Sequence, residues 1–598
     1  MTSSSGSQDG DRFAVSLRGE SPSPALPGLG AVDTTESASD ISSPISITSS
    51  PISGTSSPVS GTSSPISGIS SPTFGVQTPT SSISSISSNT SIGTTLEKNQ
   101  TMFQGFEWYC PDDQEHWKRL ANAAPALSSI GVTSMWIPPA CKGFLDGNAS
   151  AGYDTYDLYD LGEFNQKGGV KTKYGTKAEL LKLIEVSNIH GLAILFDVVV
   201  NHKGGADYHE PVNGVRVDHL NRLHEITGGL EHIQAWTGFD YPVRNDEYST
   251  FKWNKSHFSG AHDADDDRGN YDYLMFANID HSNPEVQQEL FNWVQWLGSE
   301  LDIGGIRLDA IKHISKQFQK DFISHIRKTV GPGWLIVGEY WHFDARFMAK
   351  LIEDFNHQLI LYDIPLVHKF RDLSKTPIDR LDLRTVFDGS LVSLKPEQAV
   401  SFVVNHDTQE GQASECVVSP WFIPHAYALI LLHAKAGTPC VFYGDVYGSY
   451  GPQGESKAGE YNLPPYHSSV VKMVLARQYY AYGGMSEFFD DPLCIGFTRH
   501  GDEDHSDGAG LAVVLSALEE TASKRMFVGQ KHAGEVWTDV LGGVKDEVAI
   551  EGDGWATFPV RPRTVSIWVD AVAEDRELVD GFVFDHDIYG LKSGRESG

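Results

Sequence analysis

This chain of 598 residues is short of cysteine and of cations, and it has no apolar run long enough to cross a bilayer. Its five cysteines, Cys110, Cys141, Cys416, Cys440 and Cys494, are odd in number, scattered, and without CxxC or Cys/His metal spacing. That argues against a disulfide framework and fits buried thiols in a reducing compartment. Lys and Arg number 46 against 78 Asp and Glu, a formal net charge of -32. Nucleic acid is excluded as a partner, because phosphate neutralisation needs clustered Lys and Arg. A neutral ligand such as carbohydrate suits the charge, and 13 Trp with 22 Tyr supply flat faces for sugar rings. The opening MTSSSGSQDGDRFAVS lacks a basic start followed by an apolar stretch, so no secretory leader, no membrane partner and a cytoplasmic location are expected.

What is abundant comes first in the chain. Residues 1–97 are dominated by Ser, Thr, Pro and Gly, with SSPISG or a close variant recurring every seven residues at Pro44, Pro51, Pro58, Pro65 and Pro72. Such a segment cannot bury enough apolar surface to offset its ordering entropy, so it reads as a disordered tail. One proline per period rules out a coiled coil. The Ser-Pro pairs are either phosphorylation sites or parts of a solvated spacer.

From Gln100 onward, strand and helix patterns alternate. MFQGFEW reads as a strand, His116 to Ser129 as a helix, Val132 to Pro139 as a strand, Lys177 to Ser187 as a helix and LAILFDVVVNH as a buried strand. The alternation stops between Lys203 and Ser282, a segment rich in Gly, Asp, Asn, His and Tyr, and resumes with a helix from Glu285 to Leu301. It continues with the strand GGIRLDA, a helix from Lys316 to Thr329, the strand WLIVGEY, and later a strand from Val441 to Gly444. Beyond Glu487, short strands at Cys494 to Arg499, Gly510 to Ser516, Arg525 to Val528 and Thr564 to Val569 mark a small β domain. The expected fold is therefore α/β. A (β/α)8 TIM barrel occupies 98–202 and 283–486, with an inserted loop-rich domain at 203–282, a C-terminal antiparallel β domain at 487–573 and a loose charged tail at 574–598.

Four strand-like stretches end in polar tips: DVVVNH (Asp197 to His202), GIRLDAIKH (Gly305 to His313), VGEYW (Val337 to Trp341) and FVVNHDT (Phe402 to Thr408). Apolar residues that fill a barrel followed at once by Asp, Glu, Arg, His or Asn describe the C-terminal rim of such a barrel, where active sites sit. With Asp309, Glu339 and Asp407 at three of the tips, the pattern points to a glycosidase. A single motif of this kind could equally be a helix cap or a rim ion pair; four in barrel order leave little room for that.

The stretch from Met102 to Asp570 resembles α-amylases of the retaining α-glucosidase-type clan, closest to liquefying bacterial and intracellular fungal members. The phrases FEWYCPDDQEHWKRL, WIPPACKG, YDLYDLGEF, KYGTKAELL, DVVVNHKGGAD, NYDYLMFANID, GIRLDAIKH, EYW, NHDT and VFYGDVYG carry the resemblance in order and spacing. It implies endo-acting hydrolysis of α-1,4-glucosidic bonds in starch, glycogen or malto-oligosaccharides by a monomer.

Retention needs a nucleophilic carboxylate and an acid/base carboxyl about 5 to 5.5 Å apart. Asp309 and Glu339, on neighbouring strands about 4.8 Å apart, suit that spacing as nucleophile and acid/base respectively. Arg307 lies two residues before Asp309 on the same strand face, and a fixed positive charge there is expected to keep Asp309 ionised. Tyr340 and Trp341 are expected to hold the Glu339 carboxyl protonated.

The resemblance further implies Asp407 as a third carboxylate on sugar hydroxyls, with His202 and His406 as donors beside it. Tyr153 would be a stacking platform, Trp108 and Gln104 would line the first-strand side, Asp197 would be structural, and Lys312 with His313 would face the leaving group. It also implies Ca2+, held by Asn201, Asp272, Asn278 and the backbone carbonyl of His313. Two departures stand out: Asn278 replaces the usual Asp, and Val404 stands where an Asp often precedes the Asn. The acidic patch Asp263, Asp265, Asp266 and Asp267 is either a second cation site or a solvated loop. Two other functions fit the same residues: transglycosylation from the same intermediate, and a non-catalytic glucan-binding scaffold.

Overall fold

The computed structural model describes residues 99–144, 150–214, 231–259, 276–451 and 463–590. The expected N-terminal tail, the acidic patch at 263–267 and Asp272 lie outside the described residues. Eight parallel strands close into a barrel: β1 (Met102–Gln104), β2 (Ser134–Trp136), β3 (Ala193–Val198), β4 (Gly305–Leu308), β5 (Leu335–Gly338), β6 (Ile360–Tyr362), β7 (Ala399–Phe402) and β8 (Thr438–Phe442). The order is sequential around the ring, with β8 pairing β1. This is the (β/α)8 arrangement expected, and it places every strand's C-terminal end on one rim.

Local sequence accounts for the outer helices. The helix Lys177–Ile189 begins with a capping box in which Thr176 accepts from Glu179 N while Glu179 answers the Thr176 N–H. The helix Pro284–Glu300 has Asn283 as its cap and proline at its first position, where a missing N–H costs nothing. In Lys316–Thr329, Phe318, Phe322, Ile323 and Ile326 form the buried stripe at helical spacing, and the opposite face is polar. Two sequence expectations shift by a few residues. The strand expected over Val441 to Gly444 is Thr438–Phe442, and Tyr443–Tyr447 is already helical. MFQGFEW is extended only at Met102–Gln104.

The excursion after β3 is tied to the barrel by a two-residue ladder, His202 opposite Asn278 and Lys203 opposite Ala277. It carries a hairpin of Tyr208–Gly214 with Glu231–Gly238. Lys203 is buried beneath it, 5.1, 5.7 and 5.2 Å from the ring centres of Phe239, Tyr241 and Trp253, and donates to the Tyr156 carbonyl at 2.6 Å.

The C-terminal domain is a six-stranded antiparallel sheet from Met485 to Asp570 plus the pair Ala522–Phe527 with Trp555–Val560. Trp537, Phe558 and Trp568 are buried in its core. The loose tail expected from 574 is corrected as far as Gly590. Arg576–Gly581 is helical, the Tyr589 hydroxyl bonds the Tyr443 hydroxyl at 2.9 Å, and His586 Nδ1 donates to the Val446 carbonyl at 2.8 Å. Arg119 lies 4.9 Å above the Tyr589 ring. A few aromatic anchors among many charged residues hold this segment to the barrel.

Candidate active site

The register of three neighbouring strands builds the site. Arg307 on β4 sits opposite Asp197 on β3 and Val337 on β5. Gly305 lets β4 and β5 approach, because a Cβ there would collide with the Leu335 carbonyl oxygen. Just past the strand ends stand Asp309 and Glu339, each 6% exposed, and Arg307 itself is 1% exposed.

The Arg307 guanidinium organises the carboxylates. Its Nη1 donates to Asp197 Oδ1 and Asp309 Oδ1, both at 2.7 Å, and its Nη2 reaches Glu339 Oε2 at 2.8 Å. Asp309 and Glu339 oxygens are therefore separated by no more than those two contacts plus the width of the fork. Such a planar cation holds several carboxylates in fixed directions, which a lysine would not. Trp136 stacks on the guanidinium, its ring centre 4.9 Å from Cζ, and donates Nε1–H to Asp197 Oδ2 at 2.9 Å. The Tyr153 hydroxyl donates to the same oxygen at 2.9 Å. Asp197 is thus saturated, as a structural carboxylate would be.

Glu339 accepts two further donors. Trp341 Nε1 reaches its Oε1 at 2.8 Å and Ala310 N reaches its Oε2 at 2.9 Å. Ala310 follows Asp309 directly and has φ of 50°, a left-handed conformation that costs a non-glycine residue energy. That turn is what aims the Ala310 N–H at Glu339.

The expectation that Arg307 keeps Asp309 ionised meets an opposing effect in burial. Burial pushes the Asp309 carboxyl well above the usual carboxylate range; the Arg307 guanidinium opposes this, and the charges of Glu339, Asp197 and Asp407 add to it. Burial likewise raises the Asp197 carboxyl against the pull of Arg307. One guanidinium facing three buried carboxylates leaves excess negative charge, which raises the cost of ionising all three together.

Asp407 belongs to the turn after β7 and is more open, with 31% of its side chain exposed. Asn405 Oδ1 accepts the N–H groups of Asp407 and Thr408 at 3.0 and 2.9 Å and shapes that turn. His406 Nε2 lies 3.4 Å from Asp407 Oδ2, and Gln104 Nε2 donates to His406 Nδ1 at 3.1 Å, so the ring proton faces the aspartate. Burial, then the Arg307 charge, hold His406 well below its usual range and keep it neutral. His406 lies parallel to Tyr153 (5.2 Å, 5°) and Trp108 (6.2 Å, 10°), three nearly parallel rings on one side of the site.

The other expected residues fall as follows. His202, held neutral with its pKa lowered to about 4 by burial, donates from Nε2 to the Tyr153 carbonyl at 2.7 Å and accepts at Nδ1 from Asn201 Nδ2 at 3.2 Å. Both nitrogens thus face protein groups, and His202 fixes the Tyr153 loop. Lys312 and His313 lie half-buried in a single helical turn, Ile311–His313, that follows Asp309. Trp108, Tyr153, Trp341 and Asp407 are half-buried around the buried pair and form the mouth. Of the expected metal residues, Asn201 is buried and its Oδ1 meets no hydrogen-bond donor, while Asn278 lies on the adjoining ladder. Among the described residues no three His, Cys, Asp or Glu side chains converge as a metal centre. Sequence reasoning missed Trp136, Ala310, Glu107 and Gln409; only Glu107, a carboxylate inside the otherwise apolar MFQGFEW, carried a signal.

Comparison with known proteins agrees with this geometry. Residues 116–472 match the model of the α-amylase catalytic domain, and residues 511–569 match that of the α-amylase C-terminal domain. The chain is 43% identical to the α-amylase of Geobacillus stearothermophilus over 79% of this chain and 87% of that protein. It is 38% identical to the cytoplasmic α-amylase of Escherichia coli K12, over 79% and 99% respectively. Among solved structures, an α-amylase from Geobacillus thermoleovorans in complex with acarbose superposes with a TM-score of 0.55 at 18% identity, covering 79% of this chain and 98% of that one. A catalytic-domain match over more than half the chain, a curated relative above two-fifths identity and a barrel rim carrying the required carboxylates lead to one assignment: this chain belongs to the α-amylase family.

Proposed function

We propose that this protein cleaves internal α-1,4-glucosidic bonds of starch, glycogen or malto-oligosaccharides with retention of configuration. The observation that carries the reading is the Arg307 fork, which holds Asp309 and Glu339 on its two terminal nitrogens. Both groups are thereby held on one side of the same cation, within reach of one anomeric carbon, as a nucleophile and an acid/base must be.

In the first step Asp309 attacks the anomeric carbon while Glu339 protonates the departing glycosidic oxygen. In the second, Glu339 takes a proton from water, and the resulting hydroxide displaces Asp309 from the sugar with a second inversion. Asp407 and His406 bond hydroxyls of the ring being cleaved, Tyr153 and Trp108 offer it a stacking face, and Gln104 supports His406 from behind. Lys312, His313 and Trp341 line the leaving-group side.

Calcium is proposed as a structural ion between the excursion and the barrel, held by Asn201 Oδ1, Asn278, Asp272 and the His313 carbonyl. The unpartnered Asn201 oxygen suits a hard cation that takes six to eight oxygens. Its contribution is to fix the loops beside the site. A cytoplasmic location is proposed from the E. coli relative and from five buried thiols.

Glu339→Gln should lower hydrolysis of soluble starch about 10²- to 10⁴-fold. Activity within a few-fold of the parent would overturn the assignment. Maltopentaose incubated with the enzyme should give shorter products only; chains longer than the substrate would move the reading to transglycosylation.

A further inference from the structure

Glu107 stands two residues past Gly105 and is 1% exposed, yet its four hydrogen-bond donors are all neutral. Its Oε2 accepts from Gln409 Nε2 at 2.9 Å, Tyr109 N at 3.0 Å and Ser449 Oγ at 3.0 Å, and its Oε1 accepts from Tyr450 N at 3.3 Å. These donors come from three loops, after β1, after β7 and beyond β8, and β8 lies between β1 and β7 in the barrel. A buried carboxylate without a cation is costly to keep, so packing alone gives no reason for it.

The contacts lead to the sugar-facing residues. Gln409 Oε1 accepts the Trp108 N–H at 3.0 Å, so one amide side chain links Glu107 to the backbone of the stacking tryptophan. Gln409 N donates to the Asn405 carbonyl at 3.0 Å, closing the turn in which Asn405 orients Asp407. Glu107 touches none of Asp197, Arg307, Asp309 or Glu339, whose arrangement depends on Arg307.

We propose that Glu107 is a positioning residue: by clasping three rim loops through Gln409, Ser449 and Tyr450, it sets where Trp108 and Asp407 meet the sugar. The role rests on the hydrolytic reading above. It belongs to substrate binding and not to bond cleavage, because the reacting pair is organised from the opposite side of the barrel.

The test uses the full chain with maltopentaose as substrate. Glu107→Gln keeps the shape but leaves one acceptor oxygen where two stood, so its N–H2 must face at least one of the donors that Glu107 satisfied. KM should rise about tenfold with kcat within about threefold, since one charge-assisted bond is lost. The opposed donor should lower the melting temperature slightly, a loss the exchanged pair should also repair. The exchanged pair Glu107→Gln with Gln409→Glu restores donor facing acceptor and should recover most of the lost affinity. Gln409→Met, which leaves Glu107 in place, should reproduce the rise in KM. An unchanged KM in both single variants overturns the proposal, as does a loss of stability in parallel with activity that the exchanged pair fails to repair. Failure of the hydrolytic reading would show separately, as a parent enzyme that does not cleave maltopentaose.

Discussion

Replacing Arg307 by lysine isolates the geometry of the fork from its charge. The guanidinium supplies three contacts of 2.7, 2.7 and 2.8 Å to Asp197, Asp309 and Glu339 from two nitrogens held rigidly in one plane. A lysine has a single nitrogen on a flexible stem, so it can neutralise charge in this space but cannot hold all three carboxylates at once. Glu339 would keep its bonds from Ala310 and Trp341, whereas Asp309 and Asp197 would compete for the ammonium. A displacement of about 1 Å between reacting groups costs on the order of 10²-fold in rate, so kcat on maltopentaose should fall by at least that factor with KM changed little. Arg307→Met removes the charge as well, strands three buried carboxylates and should cost about 3 to 5 kcal/mol of stability. Steady-state kinetics of the lysine variant and denaturant unfolding of both would test this. A lysine variant with kcat within threefold of the parent would refute the view that the fork sets the spacing of the pair.

Three further outcomes test the molecule elsewhere. Gly305→Ala should push β4 from β5 at the Leu335 carbonyl, costing about 1 to 3 kcal/mol and lowering kcat; unchanged unfolding and kinetics would show that the close approach is unimportant. Asp445 is buried, and burial raises its pKa from 3.8 to about 6 despite bonds from Tyr427 and Tyr466. Its raised folded value adds stability below about pH 4 that is lost as pH rises through about 6. Asp445→Asn should therefore change the unfolding free energy relative to the parent by about 2 kcal/mol between pH 4 and pH 7, and a pH-independent difference would contradict it. Chelation should lower the melting temperature and calcium, more than magnesium, should restore it; an identical melting curve with and without chelator would remove Ca2+ from the site.

Much of this molecule is legible in its residues because the barrel repeats one physical theme. The helices His116–Ser129 and Lys316–Thr329 stand where the apolar spacing puts them, and Cys494–Arg499 is a strand over its whole expected length. These segments bury one face or all of it, and burial leaves a periodic trace. The loop chemistry left weaker traces. Nothing in the GIRLDAIKH string announces that Ala310 adopts a left-handed conformation, since glycine would be the usual residue there. The charge balance at Asp309 is only half legible, because sequence reveals its neighbouring cation and conceals how far water is excluded. The segment 574–590 reads as a charged tail because charge dominates its composition, whereas a few of its side chains, the buried Val579 and Phe584 with Tyr589 and His586, dock it.

All five native sulfhydryls are shielded in the folded state, and Cys110, whose pKa burial pushes up to about 12, illustrates how little thiolate they offer to a reagent. An alkylating probe should therefore ignore the intact enzyme and mark each site only when its surroundings open. Cys494 lies in the C-terminal sheet and Cys440 in barrel strand β8, so their relative labelling rates form a two-channel clock that tells which half of the molecule lets go first.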